Sequence, residues 1–176
     1  VLKINSSGGI IWQRTIGGSD YDFLNTAEQT LDGGYILGGS SYSGISSEKT
    51  APNIGSADYW VVKLDAQGSI EWQKTIGGIQ EDLLLDIKQT LDGGYLLGGI
   101  SFSPVSGDKT DPNIGSSDYW VIKLDPNGDI IWKQNYGGSE SEYPHDVIET
   151  TDGNYLIAGT SSSNDGDVGG NNGSWD

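Results

Sequence analysis

The chain has no cysteine and no methionine, a single histidine, and only 9 basic residues against 25 acidic ones. Each shortage closes a class of chemistry. Without cysteine there are no disulfides, no thiolate metal sites and no thiol nucleophile. One histidine without cysteine leaves no ligand set for a His-rich or Cys-rich zinc centre. The net charge of −16 repels a phosphate backbone, so nucleic acid is not expected as a partner. Cations and basic surfaces are the electrostatically favoured alternatives, and the acids also keep a sheet protein in solution. No apolar run approaches the ~20 residues of a helical membrane span, and no signal-peptide pattern is present. The absence of Met at position 1 reads as a chain that begins inside a longer or processed protein. Aliphatic side chains are scarce as well: 34% of residues are apolar and 28 are glycine, which argues against a helical bundle. What is present instead is 6 Trp and 9 Tyr, large amphipathic rings that suit a sheet core.

Those rings fall on a repeat. Trp12, Trp72 and Trp132 are 60 residues apart, and Lys3, Lys63 and Lys123 keep the same step. So do Gly8, Gly68 and Gly128, and the pairs Gly17-Gly18, Gly77-Gly78 and Gly137-Gly138. Turn words punctuate each unit: Asp32-Gly33-Gly34-Tyr35, Asp92-Gly93-Gly94-Tyr95 and Asp152-Gly153-Asn154-Tyr155. Asp-Gly ahead of an apolar run predicts a hairpin joining strands 24–30 and 35–42. A second turn, Asp125-Pro126-Asn127-Gly128, predicts a hairpin of 119–124 with 129–136, because Pro fixes φ and Gly accepts a positive one. Its counterparts are 59–64 with 69–76, and 1–4 with 10–16. Alternation in 70–76 is expected to place Ile70, Trp72 and Ile76 on one face and Glu71, Gln73 and Thr75 on the other. No segment combines a cap with a 3.6-residue period. The expected fold is therefore all-β: four-stranded antiparallel blades of 60 residues, a β-propeller segment with about three repeats. Stacking against neighbours buries both faces of a blade, with Trp12, Trp72 and Trp132 as inter-blade fillers and Trp60 and Trp120 as further structural rings.

The succession Gly-Gly-x3-acid, Thr-x-Asp-Gly-Gly-Tyr-x-Leu-Gly-Gly, Asp-Tyr-Trp-Val-x-Lys-Leu-Asp and Ile-x-Trp resembles a β-propeller repeat of exported and cell-surface Bacteroidetes proteins, commonly those using type IX secretion. The loop words Asp108-Lys109-Thr110 and Asn164-Asp165-Gly166-Asp167 are similar in style. In strand order the unit also resembles the NHL-type blade. That resemblance implies an innermost strand 24–30, blades at 19–76 and 79–136, an outer half-blade at 1–16 and an inner half-blade at 139–176. It implies a secreted or cell-surface location. The two half-blades of one chain would close a three-bladed ring, tighter than propellers adopt. Two chains exchanging halves would make a six-bladed homodimer. The other reading is an arc of a longer propeller chain, whose open edges invite pairing.

In this topology the Gly-Gly-x3-acid links and the long loops 43–57, 103–117 and 161–174 share one rim. That rim carries Asp20, Asp22, Asp82, Asp108, Asp111, Glu140 and Glu142, with Glu48, Glu81, Asp165 and Asp167 beside them, and loop rims are where ligands bind. The plainer reading is a set of solvated acidic turns. Glycoside hydrolysis needs two carboxylates flanking a bond, but acids that recur in every unit (Asp22, Asp82, Glu142) argue for a turn role. The segment 165–176 partly matches a calcium loop, with Asp165, Asp167 and Asp176 at positions 1, 3 and 12 and Gly170 at position 6. It departs at position 5, which is Gly169, and at position 12, where Asp stands for Glu. Calcium is the candidate cofactor on those three residues. His145 occupies a place held by Asn25 and Leu85 and has no nucleophile elbow near it. The paired glycines carry neither the Lys-Ser/Thr nor the helix of a phosphate loop. The expected function is a non-enzymatic, extracellular binding platform or scaffold for a glycan or a protein. The alternatives are a polysaccharide-active propeller, marked by a unique cluster of acids and aromatics in a central funnel, and a spacer in a long adhesin.

Overall fold

The structure, a computed structural model, describes residues 1–170 and Gly173. Among the described residues there are twelve strands and no helix. Glycine turns and β-branched or aromatic apolar positions leave no stretch with helical capping and period. The strands are β1 (Leu2–Ile4), β2 (Ile10–Gln13), β3 (Asp22–Gln29), β4 (Tyr35–Ser41), β5 (Asp58–Leu64) and β6 (Ile70–Ile76). Then follow β7 (Asp82–Gln89), β8 (Tyr95–Ser101), β9 (Asp118–Leu124), β10 (Ile130–Tyr136), β11 (Glu142–Glu149) and β12 (Tyr155–Ser161).

Every pairing between these strands is antiparallel and sequential. β3–β6 and β7–β10 form four-stranded sheets, while β1–β2 and β11–β12 are two-stranded. The sheets stack face to face in chain order, which is the arrangement of propeller blades. β2 ends at Gln13, short of the expected residue 16, and its last rung is the Arg14 N–H to Val1 O.

Three interfaces hold the stack. The first packs Trp12 and Ile16 on Leu37, Trp60, Val62 and Leu64. The second joins the two full blades through Ile36, Tyr59, Val61, Ile76 and Trp72 on one side and Leu84, Ile87, Leu97, Trp120 and Leu124 on the other. The third sets Leu96, Tyr119, Val121 and Trp132 against Val147, Tyr155 and Ile157. Each Trp of the outermost strand meets a Tyr of the next blade: Trp12–Tyr35, Trp72–Tyr95 and Trp132–Tyr155 have ring centroids 5.6–5.8 Å apart. Trp72 also lies on Gly128, where a Cβ would come within 2.9 Å of the ring. Trp60 and Trp120 are buried in the first and second of these interfaces.

One face assignment needs correcting. Ile70 packs with Trp12, Leu37 and Leu64, whereas Trp72 and Ile76 pack on the opposite side of their sheet. The register shifts so that Ile70 faces Leu64 while Trp72 faces Lys63, leaving Glu71 as an extra residue. A bulge of this kind reverses the parity of the strand. The same device recurs in the inner strands, between Leu24 and Thr26, Leu84 and Asp86, and Pro144 and Asp146. Asn25, Leu85 and His145 are therefore the bulge residues. A position without a rung opposite tolerates three unrelated side chains, and His145 is simply exposed there.

Lys63 and Lys123 are buried in stem and head. Each ammonium reaches back to the turn acid of its own blade, Lys63 to Asp32 (2.8 Å) and Lys123 to Asp92 (2.9 Å), and Lys63 also meets the bulge residue Glu71 (2.8 Å). The lysine and hydroxyl donors hold the Asp32 carboxyl far below the ordinary range. Asp92, bonded by Thr90 and Lys123, is lowered to about 2.

Candidate functional site

The recurrent acids meet the Gly-Gly links, and the meeting has the same form three times. In the central copy the Gly78 N–H donates to Asp82 Oδ2 at 2.6 Å and the Ser103 hydroxyl donates to the same oxygen at 2.8 Å. The Gln80 N–H donates to Ser103 Oγ at 3.0 Å, the Ile79 N–H to Ser106 Oγ at 3.0 Å, and the Asp108 N–H to Gly77 O at 2.8 Å. An acid, two serines and the loop backbone thus clamp the link between blades. A Cβ on Gly78 would come 2.5 Å from the Cβ of Ser103, so only glycine allows this approach.

In the first copy Asp22 receives Gly18 N–H, Ser41 and Ser43 at 2.6, 2.5 and 3.1 Å. In the third, Glu142 receives Gly138 N–H at 3.2 Å and Ser161 at 2.9 Å. There Asp165 takes the place of Ser46 and Ser106, accepting the Ser139 N–H at 2.7 Å. The bridges Ser46–Lys49, Ser106–Lys109 and Asp165–Val168 align the three loops and show the last to be one residue shorter.

These contacts redraw the rim. Asp82 and Glu142 have no exposed surface and cannot line a ligand site; a link too tight for any side chain but hydrogen draws them inside to satisfy its amide. Asp22 is half-buried on the same duty, Asp108 offers Oδ2 to the Gly77 N–H, and Asp111 is half-buried with the Thr110 hydroxyl on it. Asp20 and Glu140 are exposed. Of the calcium-loop residues, Asp165 and Asp167 are exposed, yet each gives an oxygen to a link amide, from Ser139 and Gly137. Asp176 lies outside the described residues. Among the described residues no group of three or more His, Asp or Glu side chains is arranged to hold a metal ion.

Two further carboxylates serve the same junctions and carried no role in the sequence reading. Asp58 and Asp118 are fully buried, and each accepts the amide four residues before it, from Ile54 and Ile114, at 2.6 Å. Burial raises the Asp58 carboxyl, and the charge of Asp82 adds to the rise. Burial likewise raises Asp82 against the pull of its donors. Beside them lie two buried lysines. Lys49 donates to Ala51 O and Thr75 Oγ1, and Lys109 to the amide oxygens of Asn113 and Asn135. Each ammonium stands over a Trp ring, 5.4 Å from Trp60 and 5.7 Å from Trp120. Desolvation lowers both, Lys109 to about 8. The 60-residue step of Asp58 to Asp118 and of Lys49 to Lys109 was the available signal.

The inner strands carry a second constellation that sequence reasoning missed. Asp86 receives Lys88 at 2.7 Å, the Thr26 hydroxyl at 3.0 Å and the Val147 N–H at 3.1 Å, and Lys88 also lies 3.4 Å from Asp146. These bonds tie β3, β7 and β11 together at their bulges. Asp86 is held below the ordinary carboxylate range by Lys88 and Asp146, against its burial. Lys88 thus bridges a buried acid of β7 and an exposed acid of β11.

No family model matches the chain. It is similar to the Regulatory protein FlaEY of Caulobacter vibrioides, 26% identical over 169 residues. The match covers 91% of this chain and 18% of that protein, so the chain spans less than a fifth of that relative's length.

Proposed function

We propose that this segment is a non-catalytic binding platform and scaffold, exposed outside the cell, for a glycan or a protein. The observation that carries the reading is the triple clamp: Asp22, Asp82 and Glu142 are spent on link amides and serine hydroxyls in all three copies. Catalytic carboxylates are set apart from their repeats; these are made equivalent by them. The clamps brace the loops into a fixed rim, as a preorganised surface requires. Calcium, if it binds on Asp165 and Asp167, serves the loop and not a reaction.

The open edges belong to the same reading. Interior blades pair Ile36 with Lys63 and Leu37 with Val62. The same register sets Leu156 against Lys3 and Ile157 against Leu2, across two copies of the chain or within a longer one. Leu2, Ile4 and Leu156 are 56, 54 and 54% exposed, while their counterparts Val62, Leu64 and Leu96 are at most 3% exposed. The test is affinity electrophoresis of the chain through gels cast with a panel of polysaccharides, with reducing ends assayed in parallel and the mass followed by light scattering. Retardation without release of reducing ends is expected, in a particle near twice 18.7 kDa. Release of reducing ends that falls with Asp86→Asn would overturn the non-catalytic reading.

A further inference from the structure

In a repetitive fold, whatever recurs in each unit holds the blade, and a side chain that departs from the repeat at one open place is free of that duty. One such departure lies beside the groove between the two full blades. Tyr21, Phe23 and Tyr42 stand where the next unit has Glu81, Leu83 and Phe102, and the last has Ser141, Tyr143 and Ser162. The rings of Tyr21 and Phe23 stack, with centroids 6.3 Å apart and planes 19° from parallel. Tyr42 meets Phe23 edge-on at 6.4 Å. Tyr21 is 71% and Phe23 53% exposed, so this stacked pair lies open to solvent. Behind them a groove of about 200 Å³ runs between the blades, lined by Phe23, Asn25, Ser40, Tyr42, Leu83 and Leu85.

The polar groups at its edge point to the class of ligand. The Tyr42 hydroxyl donates to Glu81 Oε1 at 2.8 Å, which fixes the carboxylate beside the rings and leaves its second oxygen to accept. Asn25 is anchored by its amide N–H on Leu84 O at 2.7 Å, so its carbonyl oxygen is held at the groove. Flat apolar faces flanked by oriented acceptors match a pyranose, which offers C–H groups on its face and hydroxyl donors on its rim. The net charge of −16 disfavours a polyanion.

We propose that Tyr21, Phe23 and Tyr42 form a subsite for a neutral polysaccharide chain, with Glu81 accepting from its hydroxyls. This rests on the platform reading and names the ligand class for one place on it. The repeat supplies its own substitutions, since Tyr21→Ser, Phe23→Leu and Tyr42→Phe each introduce a residue that another unit carries at that position. Isothermal titration with cellohexaose, xylohexaose, laminarihexaose and mannohexaose, and with hexagalacturonate as the anionic comparator, tests it. At least one neutral hexaose is expected to bind, with Tyr21→Ser and Phe23→Leu each weakening it about tenfold and Tyr42→Phe less. Melting temperatures should stay level across the variants, and Leu31→Ala, an exposed turn residue elsewhere, should bind as the parent does. Binding unchanged by Tyr21→Ser and Phe23→Leu, binding of none of the neutral hexaoses, or tighter binding of hexagalacturonate would each overturn the subsite. If polysaccharide retardation in gels persists when Tyr21→Ser and Phe23→Leu are combined, the platform stands and only this subsite falls.

Discussion

The two full blades and the two flanking hairpins are written in the same words yet live in different surroundings. Val61, Val62 and Leu64 of β5 are buried to within a few per cent, while Leu2 and Ile4, their kin in β1, are more than half exposed. β5 has a strand on each edge and a blade on each face; β1 has β2 alone beside it. Burial here is a property of the stack and not of the unit, as in repeat architectures generally. Identical substitutions should therefore cost different amounts in different copies.

The widest gap is expected for tryptophan. Trp72 fills the interface between the full blades against Tyr95 and Gly128, and truncating it to Ala should destabilise the chain by ~3–5 kcal/mol. Trp12 makes the same contact to Tyr35 from a hairpin of short strands, which can fray without opening the stack. Its loss should cost roughly half as much or less. Urea midpoints of Trp72→Ala and Trp12→Ala decide this. Equal midpoints would mean that the hairpin β1–β2 is as fixed as a full blade, and the comparison would lose its basis.

A smaller gap should separate two copies of the clamp. Removing Asp82 strands the Gly78 amide and the Ser103 hydroxyl in a fully buried place, at a cost of ~1–3 kcal/mol. Asp22 does the same work where water reaches it, and Asp22→Ala should cost less than ~1 kcal/mol. If Asp22→Ala is the costlier of the two in the same urea series, burial is not what gives the clamp its value.

The strands, the turns and the blade count were open to reading because their signals are local: Asp-Gly turns, alternation, a 60-residue step. What lay hidden depends on pairing across strands. Nothing in Ile70-Glu71-Trp72 announces that Glu71 is a bulge, so Ile70 was placed on the wrong face. Asp82 and Glu142 look like solvated turn acids, and only the approach of Gly78 and Gly138 to the serine loops brings them inside. The same approach explains why Asp165 and Asp167 resemble a calcium loop while serving backbone amides. The aromatic cluster was visible in principle, since Tyr21 and Tyr42 break columns of the repeat, but their adjacency is a fact of the fold.

The finest distinction concerns charge inside the junctions, where pH tells an isolated cation from a paired one. Lys63 is buried with carboxylates on its ammonium, whereas Lys109 is buried with only amide oxygens. Desolvation therefore lowers Lys109 to about 8, while its acid partners carry Lys63 above the usual lysine value in spite of burial. An unfolded lysine titrates near 10.4, so between about pH 8 and 10 the unfolded chain holds a proton that folded Lys109 has shed. More protons on the unfolded state means that stability rises with pH across this window, by on the order of 1 kcal/mol per unit from this one group. Above pH 10 the buried phenol of Tyr59, raised by desolvation, reverses the slope, because unfolded tyrosines ionise first. Urea melts at pH 7, 8, 9 and 10 should show the parent chain gaining on Lys109→Met as the pH climbs. Lys63→Met should show no such convergence, since a raised lysine keeps its full contribution below the unfolded lysine value and loses it only as the pH rises from there through its own pKa. Parallel curves for parent and Lys109→Met would mean that the ammonium keeps its proton, held by the Trp120 ring and the two amides more firmly than burial opposes it.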